Sequence, residues 1–272
     1  MKELSIIIPI TDCENTTILL LNKAIESIVK QEEIENLPSV YIVFPKEIES
    51  NINEWKNSVI QQFPDKLNLV LIKNDGDISY QSQVNLAVDL IDSDYFTVLE
   101  FDDEFNLRYL KNIKKYINLY ENISVFLPII IETDENNRAV KYTNEVVWSQ
   151  EFVGENGEIG YLNLDVLKKY SDFKLSGAII KRNDFINVGK YKKNIKLTFM
   201  FEFLLRLINS GYKVFTVPMV GYKHWMNRNG SLFDTYQKTM PMYERKFWFE
   251  TALKEYYFTI DRPIDLTKMY KN

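Results

Sequence analysis

A chain of 272 residues that is 46% hydrophobic and 26% charged has the make-up of a soluble globular protein with room for one sizeable core, which excludes wholesale disorder. A net charge of −5 without any basic stripe argues against nucleic acid as a partner, and a lone cysteine, Cys13, excludes an internal disulfide and any Cys/His zinc pattern, as expected in a reducing, cytoplasmic setting. The longest apolar runs, "SIIIPI" and "VFLPIII", fall well short of the ~18 residues of a membrane span, and "TDCEN" interrupts the first too early for a signal peptide.

From the N-terminus, "LSIIIPI" (residues 4 to 10) reads as an apolar strand closed by a proline and a polar turn. Thr16 and Thr17 then offer caps for a helix with Ile18, Leu21, Ile25, Ile28 and Val29 on one face. Further strands are expected at residues 39 to 44 and 67 to 72, with a helix around Trp55 to Phe63 between them. Ser79 caps the next helix, in which Val84, Ala87, Val88 and Ile91 keep helical spacing. A fourth strand, Phe96 to Leu99, runs straight into four acids, Glu100, Asp102, Asp103 and Glu104. Strands spaced by helices in this way predict βαβ units, hence an α/β fold with a mostly parallel, Rossmann-like twisted sheet and flanking helices. In such sheets ligands bind at the carboxyl ends of strands. Acids crowded there repel one another unless a cation compensates them.

The second half is less regular. A helix with Leu107, Leu110, Ile113 and Ile117 on its buried side leads to a strand at 125 to 131, a hairpin within 133 to 148, and a glycine-containing loop at 153 to 161 of the kind that carries specificity. Residues 175 to 182 read as a strand, 197 to 213 as a helix stopped by Gly211, and 214 to 224 as extended chain. From about Pro241 an aromatic-rich amphipathic helix forms a C-terminal tail.

Five stretches follow one another along the chain: "SIIIPI" with "AIESIVKQ", "NDGDISYQSQVNLAV", "DYFTVLEFDDEF", "LSGAIIKRNDFINVGKY" and "GYKH". In this order they resemble the family 2 glycosyltransferases, nucleotide-sugar enzymes of the GT-A fold. The resemblance implies a GT-A domain over residues 1 to 235, with a nucleotide-binding half (1 to 105) and an acceptor-binding half (106 to 235), followed by a helical extension (236 to 272). Three departures stand out. Glu100 replaces the first acid of the family's DXD motif, Phe44 and Pro45 stand where an acid follows the second strand, and of the late "ED" pair only Glu202 is left.

The implied reaction is transfer of a sugar, with inversion, from a nucleoside-diphosphate sugar to the hydroxyl of a glycan or other acceptor. It requires charge neutralisation of the diphosphate, an aligned hydroxyl and a base. Asp102 is the expected ligand of Mn²⁺ or Mg²⁺, Asp103 its neighbour and His224 a second ligand, with imidazole favouring Mn²⁺. The plain alternatives are acids capping the following helix and a satisfied lone histidine. Glu100 and Phe101 fall to the donor site, Glu100 on ribose or metal-bound water. Arg228 is a candidate lid over the diphosphate or an ordinary loop residue. Pro9, Ile10 and Thr11, with Asp12, line the expected base pocket, and Asp75, Gln81 and Asn85 are candidate donor contacts or solvated loop polarity. Glu202 is the expected base, with an Arg206 ion pair as its alternative, and Asp184 is the reserve base or a helix cap. Residues 134 to 172 are expected to shape the acceptor site. The C-terminal Phe247, Trp248, Tyr256 and Tyr257 are expected to pack on the core, with an acceptor platform or a peripheral membrane contact as alternatives. Two rival functions remain: a nucleotidyltransferase, and a binding or scaffold protein on a decayed GT-A fold.

Overall fold

Ile6, Ile7 and Ile8 are all wholly buried, so Leu4–Pro9 (β1) can only sit inside a sheet covered on both faces. A computed structural model, which describes residues 2–14, 16–145, 160–169, 173–228 and 231–256, shows this arrangement. β1 pairs in parallel with Ser39–Pro45 (β2) on one side and Tyr95–Val98 (β4) on the other, and β2 pairs in parallel with Leu69–Asn74 (β3). Helices Thr17–Val29 (α1), Glu49–Gln62 (α2) and Tyr80–Leu90 (α3) make the crossovers. Ser79 caps α3 as expected, accepting a hydrogen bond from the amide of Ser82. Thr16 makes no side-chain cap to α1, and the Thr17 hydroxyl instead donates to Asp12.

Beyond β4 the chain adds Glu104–Phe105 (β5), Tyr109–Leu119 (α4), Ile123–Thr133 (β6), Ala139–Thr143 (β7), Tyr161–Leu162 (β8), Leu164–Lys169 (α5), Ile179–Lys181 (β9), Arg182–Asn187 (α6), Phe199–Asn209 (α7), Lys213–Trp225 (β10), Leu232–Thr239 (α8) and Met242–Tyr256 (α9). Among the described residues the sheet has ten strands, in the order β3-β2-β1-β4-β9-β6-β10-β5, with β7 on β6 and β8 on β10. β9 is antiparallel to both its neighbours, β4 and β6, while β10 is parallel to β6. The carboxyl ends of β1, β4, β6 and β10 therefore share one edge, together with the segment that enters β9.

The side-chain alternation of strands divides the core in two. Ile6, Ile8, Ile42 and Phe126 face α1, α2 and α4, whereas Ile7, Val43, Val98 and Val125 face α3, α6, α7 and α9. The hairpin expected within 133 to 148 instead takes its first arm from the preceding strand, β6, which pairs with β7, and the strand expected at 175 to 182 is reduced to its last part because Leu175 to Ala178 turn. Leu107 lies ahead of α4 and is 48% exposed, so it is not part of that helix's buried face. The glycine loop expected to tune specificity lies largely outside the described residues, as do Tyr257 and the end of the tail. No described helix is long and apolar enough to cross a membrane.

Two glycines lock β10 against its surroundings. A Cβ on Gly221 would lie 2.4 Å from the Tyr109 ring, and one on Gly177 (φ +70°) would lie 2.3 Å from the Tyr222 ring. Ring and backbone thus close on each other directly beneath the acids.

Candidate active site

β4 delivers the acids to the shared edge and a turn then folds them together, the amide of Asp103 donating to the carbonyl of Glu100 at 3.0 Å. The four do not stay in one group. Glu104 enters β5 and pairs with Lys223 at 2.8 Å. Asp103 is buried and turns toward β10, where Oδ1 accepts the Trp225 amide and Oδ2 meets His224 Nδ1, both at 2.9 Å. Glu100 accepts the Ser176 hydroxyl at 2.6 Å, and its amide donates to the Tyr222 hydroxyl at 3.0 Å. One ligand atom each from Glu100, Asp103 and His224 fall within 4.8 Å of one another.

Asp102 takes the other direction. Arg228 Nε donates to its Oδ2 at 2.6 Å, and Nη2 donates to Asp12 Oδ2 at 3.1 Å. The guanidinium lies 5.2 Å over the ring of Phe101, which is itself buried in the core on the α1 side. Arg228 is thus a buried cation spanning the ends of β1 and β4. A cavity of about 570 Å³ opens on the α1 side, bordered by Asp102, Asp103, Lys23, Thr133, Tyr222 and Trp225.

Burial and mutual repulsion govern the titration of this cluster. Burial, then the charge of Asp103, pushes Glu100 up to about 7. The same two causes push Asp102 up to about 6 against the pull of Arg228. Burial works to lower His224, but the Asp103 carboxylate wins and raises it to about 9. Two carboxylates and an imidazole converging on one point, with their neighbour Asp102 already needing an arginine, suit a divalent cation of the Mn²⁺ or Mg²⁺ class. Relative to expectation the structure groups Glu100, rather than Asp102, with Asp103 and His224, and gives Asp102 to Arg228.

Other expected site residues are placed elsewhere. Glu202 is wholly buried in α7, with Arg206 bonding both its oxygens at 2.9 and 3.1 Å. Arg206 also donates to the carbonyls of Val188 and Lys190. The helix-pairing alternative therefore describes Glu202, and a carboxylate enclosed in this way is not open to an acceptor hydroxyl. Arg206→Met would leave that buried charge with only Lys192, at 3.7 Å, among the described residues and free two carbonyls, so urea unfolding should show a loss of about 3 kcal/mol. Asp184 follows β9, whose reversed direction carries it to the start of β4, where the neighbouring Arg182 amide bonds to the Asp94 carbonyl. It lies in the first turn of α6 at the far edge of the sheet, away from the acids.

Pro9 and Ile10 are buried in sheet contacts, the Ile10 amide bonding Val43 and its carbonyl accepting the Gln83 side chain, so of the four residues expected to line the base pocket only the half-buried Thr11 and Asp12 reach the surface. Gln81 donates to the Ile195 carbonyl, and Asn85 makes paired bonds to the backbone of Tyr191. Both brace the 188 to 195 loop against α3 rather than reach toward a donor. Asp75 stands exposed after β3. Phe247 is 56% exposed, while Trp248 and Phe249 pack on the α7 face of the core.

No protein-family model matches this chain, and no curated protein matches it in sequence. Its likeness is to solved structures. S. aureus TarS 1-349 in complex with UDP-GlcNAc superimposes with a TM-score of 0.60 at 15% identity, covering 86% of this chain and 61% of that one. The mannosyltransferase PcManGT from Pyrobaculum calidifontis, in complex with GDP-Man and Mn²⁺, gives 0.62 at 14% identity, covering 93% and 64%. The chain thus spans less than two thirds of either structure. At this identity the likeness is one of fold, and the fold is the GT-A glycosyltransferase type.

Proposed function

We propose that this protein is a metal-assisted glycosyltransferase that moves a sugar from a nucleoside-diphosphate sugar to an acceptor hydroxyl. The observation that carries this reading is the trio Glu100, Asp103 and His224, gathered at the edge where β4 and β10 end. It is supported by a fold whose solved examples hold UDP-GlcNAc, or GDP-Man with Mn²⁺. The trio would hold a divalent cation, which supplies positive charge against the donor diphosphate. Arg228, now bonded to Asp102 and Asp12, brings a second positive charge to the same edge, and Ser176 and Tyr222 fix the Glu100 end of the trio. Displacement in one step with inversion, and a hydroxyl of a glycan as acceptor, follow from the family 2 resemblance. A cytoplasmic site of action and the division into donor and acceptor halves at residue 105 belong to the same reading.

The test is a panel of nucleotide sugars incubated with the purified protein, with Mn²⁺, with Mg²⁺ or with EDTA. Metal-stimulated release of a nucleoside diphosphate from at least one donor is the expected result. A second reading, a nucleotide-sugar binding protein without turnover, is favoured by one observation: the α7 carboxylate is consumed by Arg206. Calorimetric binding of UDP or GDP with no release from any donor would select it, and the absence of both binding and release would overturn the two together.

A further inference from the structure

Glu132 occupies the last stretch of β6, opposite His224 in the β6–β10 ladder, and is only 1% exposed. A buried carboxylate is costly unless it is paired, and an apolar pair in its place is commonly as stable or more so. Here the partner is Lys174, with Nζ 2.9 Å from Oε1, while Lys141 stands at 3.6 Å and the Thr143 hydroxyl donates to the same oxygen. Burial works to raise Glu132, but the Lys174 ammonium leads the groups that hold it below the ordinary carboxylate value. Glu132 therefore stays charged beside the candidate site.

Lys174 is also fixed through its backbone. Its amide donates to Asn144 Oδ1 at 3.0 Å, and Asn144 Nδ2 donates to its carbonyl at 2.9 Å and to that of Pro128 at 3.0 Å. Asn144 is wholly buried and adopts φ +60°, a conformation that asparagine accepts more readily than most residues. Two residues further on, Ser176 bonds Glu100, so one short segment before β9 supplies a ligand for the acid and a braced ammonium. The Lys174 side chain is 27% exposed, and its carboxylate partner Glu132 stands directly opposite His224 in the β6–β10 ladder. Lysine carries three donors, of which the contact to Glu132 engages one.

We infer that Lys174 is an oxyanion-binding residue of this site, held by Glu132 and Asn144 so that its ammonium meets a phosphate oxygen on the His224 side, while Arg228 stands on the Asp102 side. The inference rests on the function proposed above. Nothing in the spacing of the sequence marks it, because Glu132, Asn144 and Lys174 are brought together only by β6, β7 and the entry to β9.

The test is calorimetric titration of Mn²⁺ with UDP, GDP or inorganic pyrophosphate into the wild type and into Lys174→Met, Lys174→Arg and Glu132→Gln, with thermal unfolding of each. For the phosphate ligand that binds best, Lys174→Met is expected to weaken Kd by about tenfold or more, as befits one charge-assisted bond. Lys174→Arg should recover most of the loss, and Glu132→Gln should give a smaller one. Arginine can pair with Glu132 as lysine does, so the roles are separated by the two readouts of Lys174→Met: a structural brace lowers the melting temperature without moving Kd, whereas an oxyanion contact weakens Kd. An unchanged Kd in Lys174→Met overturns the inference, as does a loss that Lys174→Arg fails to recover. Lysine-dependent binding of pyrophosphate without binding of either nucleotide would keep the oxyanion site and sink the glycosyltransferase reading. No binding of any of the three by the wild type would sink both.

Discussion

Asp103→Asn is expected to reduce metal-stimulated release of nucleoside diphosphate by about a hundredfold or more, equivalent to losing roughly 3 kcal/mol of stabilisation between the charged site and the reacting donor. Asparagine has the shape of aspartate, so its oxygen can go on accepting the Trp225 amide and the β4–β10 junction is preserved. What it removes is the negative charge that draws His224 to 2.9 Å and contributes one of the three converging ligands. It also relieves repulsion on Glu100 and Asp102, since Asp103 is the leading charged neighbour that raises each. Thermal unfolding of the metal-free variant should therefore show little change while activity collapses. Loss of fold together with activity would mean that Asp103 serves only to fasten β10, and undiminished activity would remove the trio from the chemistry.

The second large effect is a reversal of pH dependence by metal. Glu100 and Asp102 titrate at about 7 and about 6, both raised, and His224 at about 9, also raised. A raised pKa means that the folded protein binds the proton more tightly than the unfolded chain. The stability each group contributes is complete below its unfolded value and is lost as pH climbs through the folded one. In EDTA these three groups should therefore make the melting temperature fall between about pH 4 and about pH 9. A divalent cation needs the same groups deprotonated, so its affinity rises over that range. At a hundredfold excess over Kd it contributes about 2.7 kcal/mol, which for a chain of this size is roughly 5–10 °C. Scanning fluorimetry should show that increment with Mn²⁺ at about pH 8 and little of it at about pH 5. An equal increment at both values, or none at either, would contradict the assignment of Glu100, Asp103 and His224 as the cation ligands.

The first half of the chain was readable because local pattern and tertiary position agree there. Each strand from β1 to β4 is a short apolar run between polar turns, each crossover helix has a clear buried face, and the acids follow from where β4 ends. In the second half the pattern and the position part company. "LSGAIIKR" is apolar enough for a full strand, yet Gly177 is needed at φ +70° against the Tyr222 ring, so the chain turns before it pairs. Asp184 looked available only while the direction of β9 was unknown. Glu202 and Arg206 sit at a spacing that fits a surface pair or a catalytic acid equally well, and burial decides between them. The partners that complete the site, Ser176, Tyr222 and Asp12, are separated from the acids by 70 residues or more, and no sequence window contains them. "GYKH" did carry a usable signal, because Tyr222 and His224 alternate onto one side of a strand and both reach the acids.

The reversed strand β9 has a consequence for how this molecule can change. Its three residues hydrogen-bond to β4 and β6 whatever precedes them, yet the residues just ahead of them are the ones that touch Glu100 and Glu132. Changes in residues 173 to 176, just ahead of β9, would therefore alter what surrounds Glu100 and Glu132 while the pairing of β9 with β4 and β6 is kept. Novelty in what is recognised can accumulate at the mouth without renegotiating the framework that holds it.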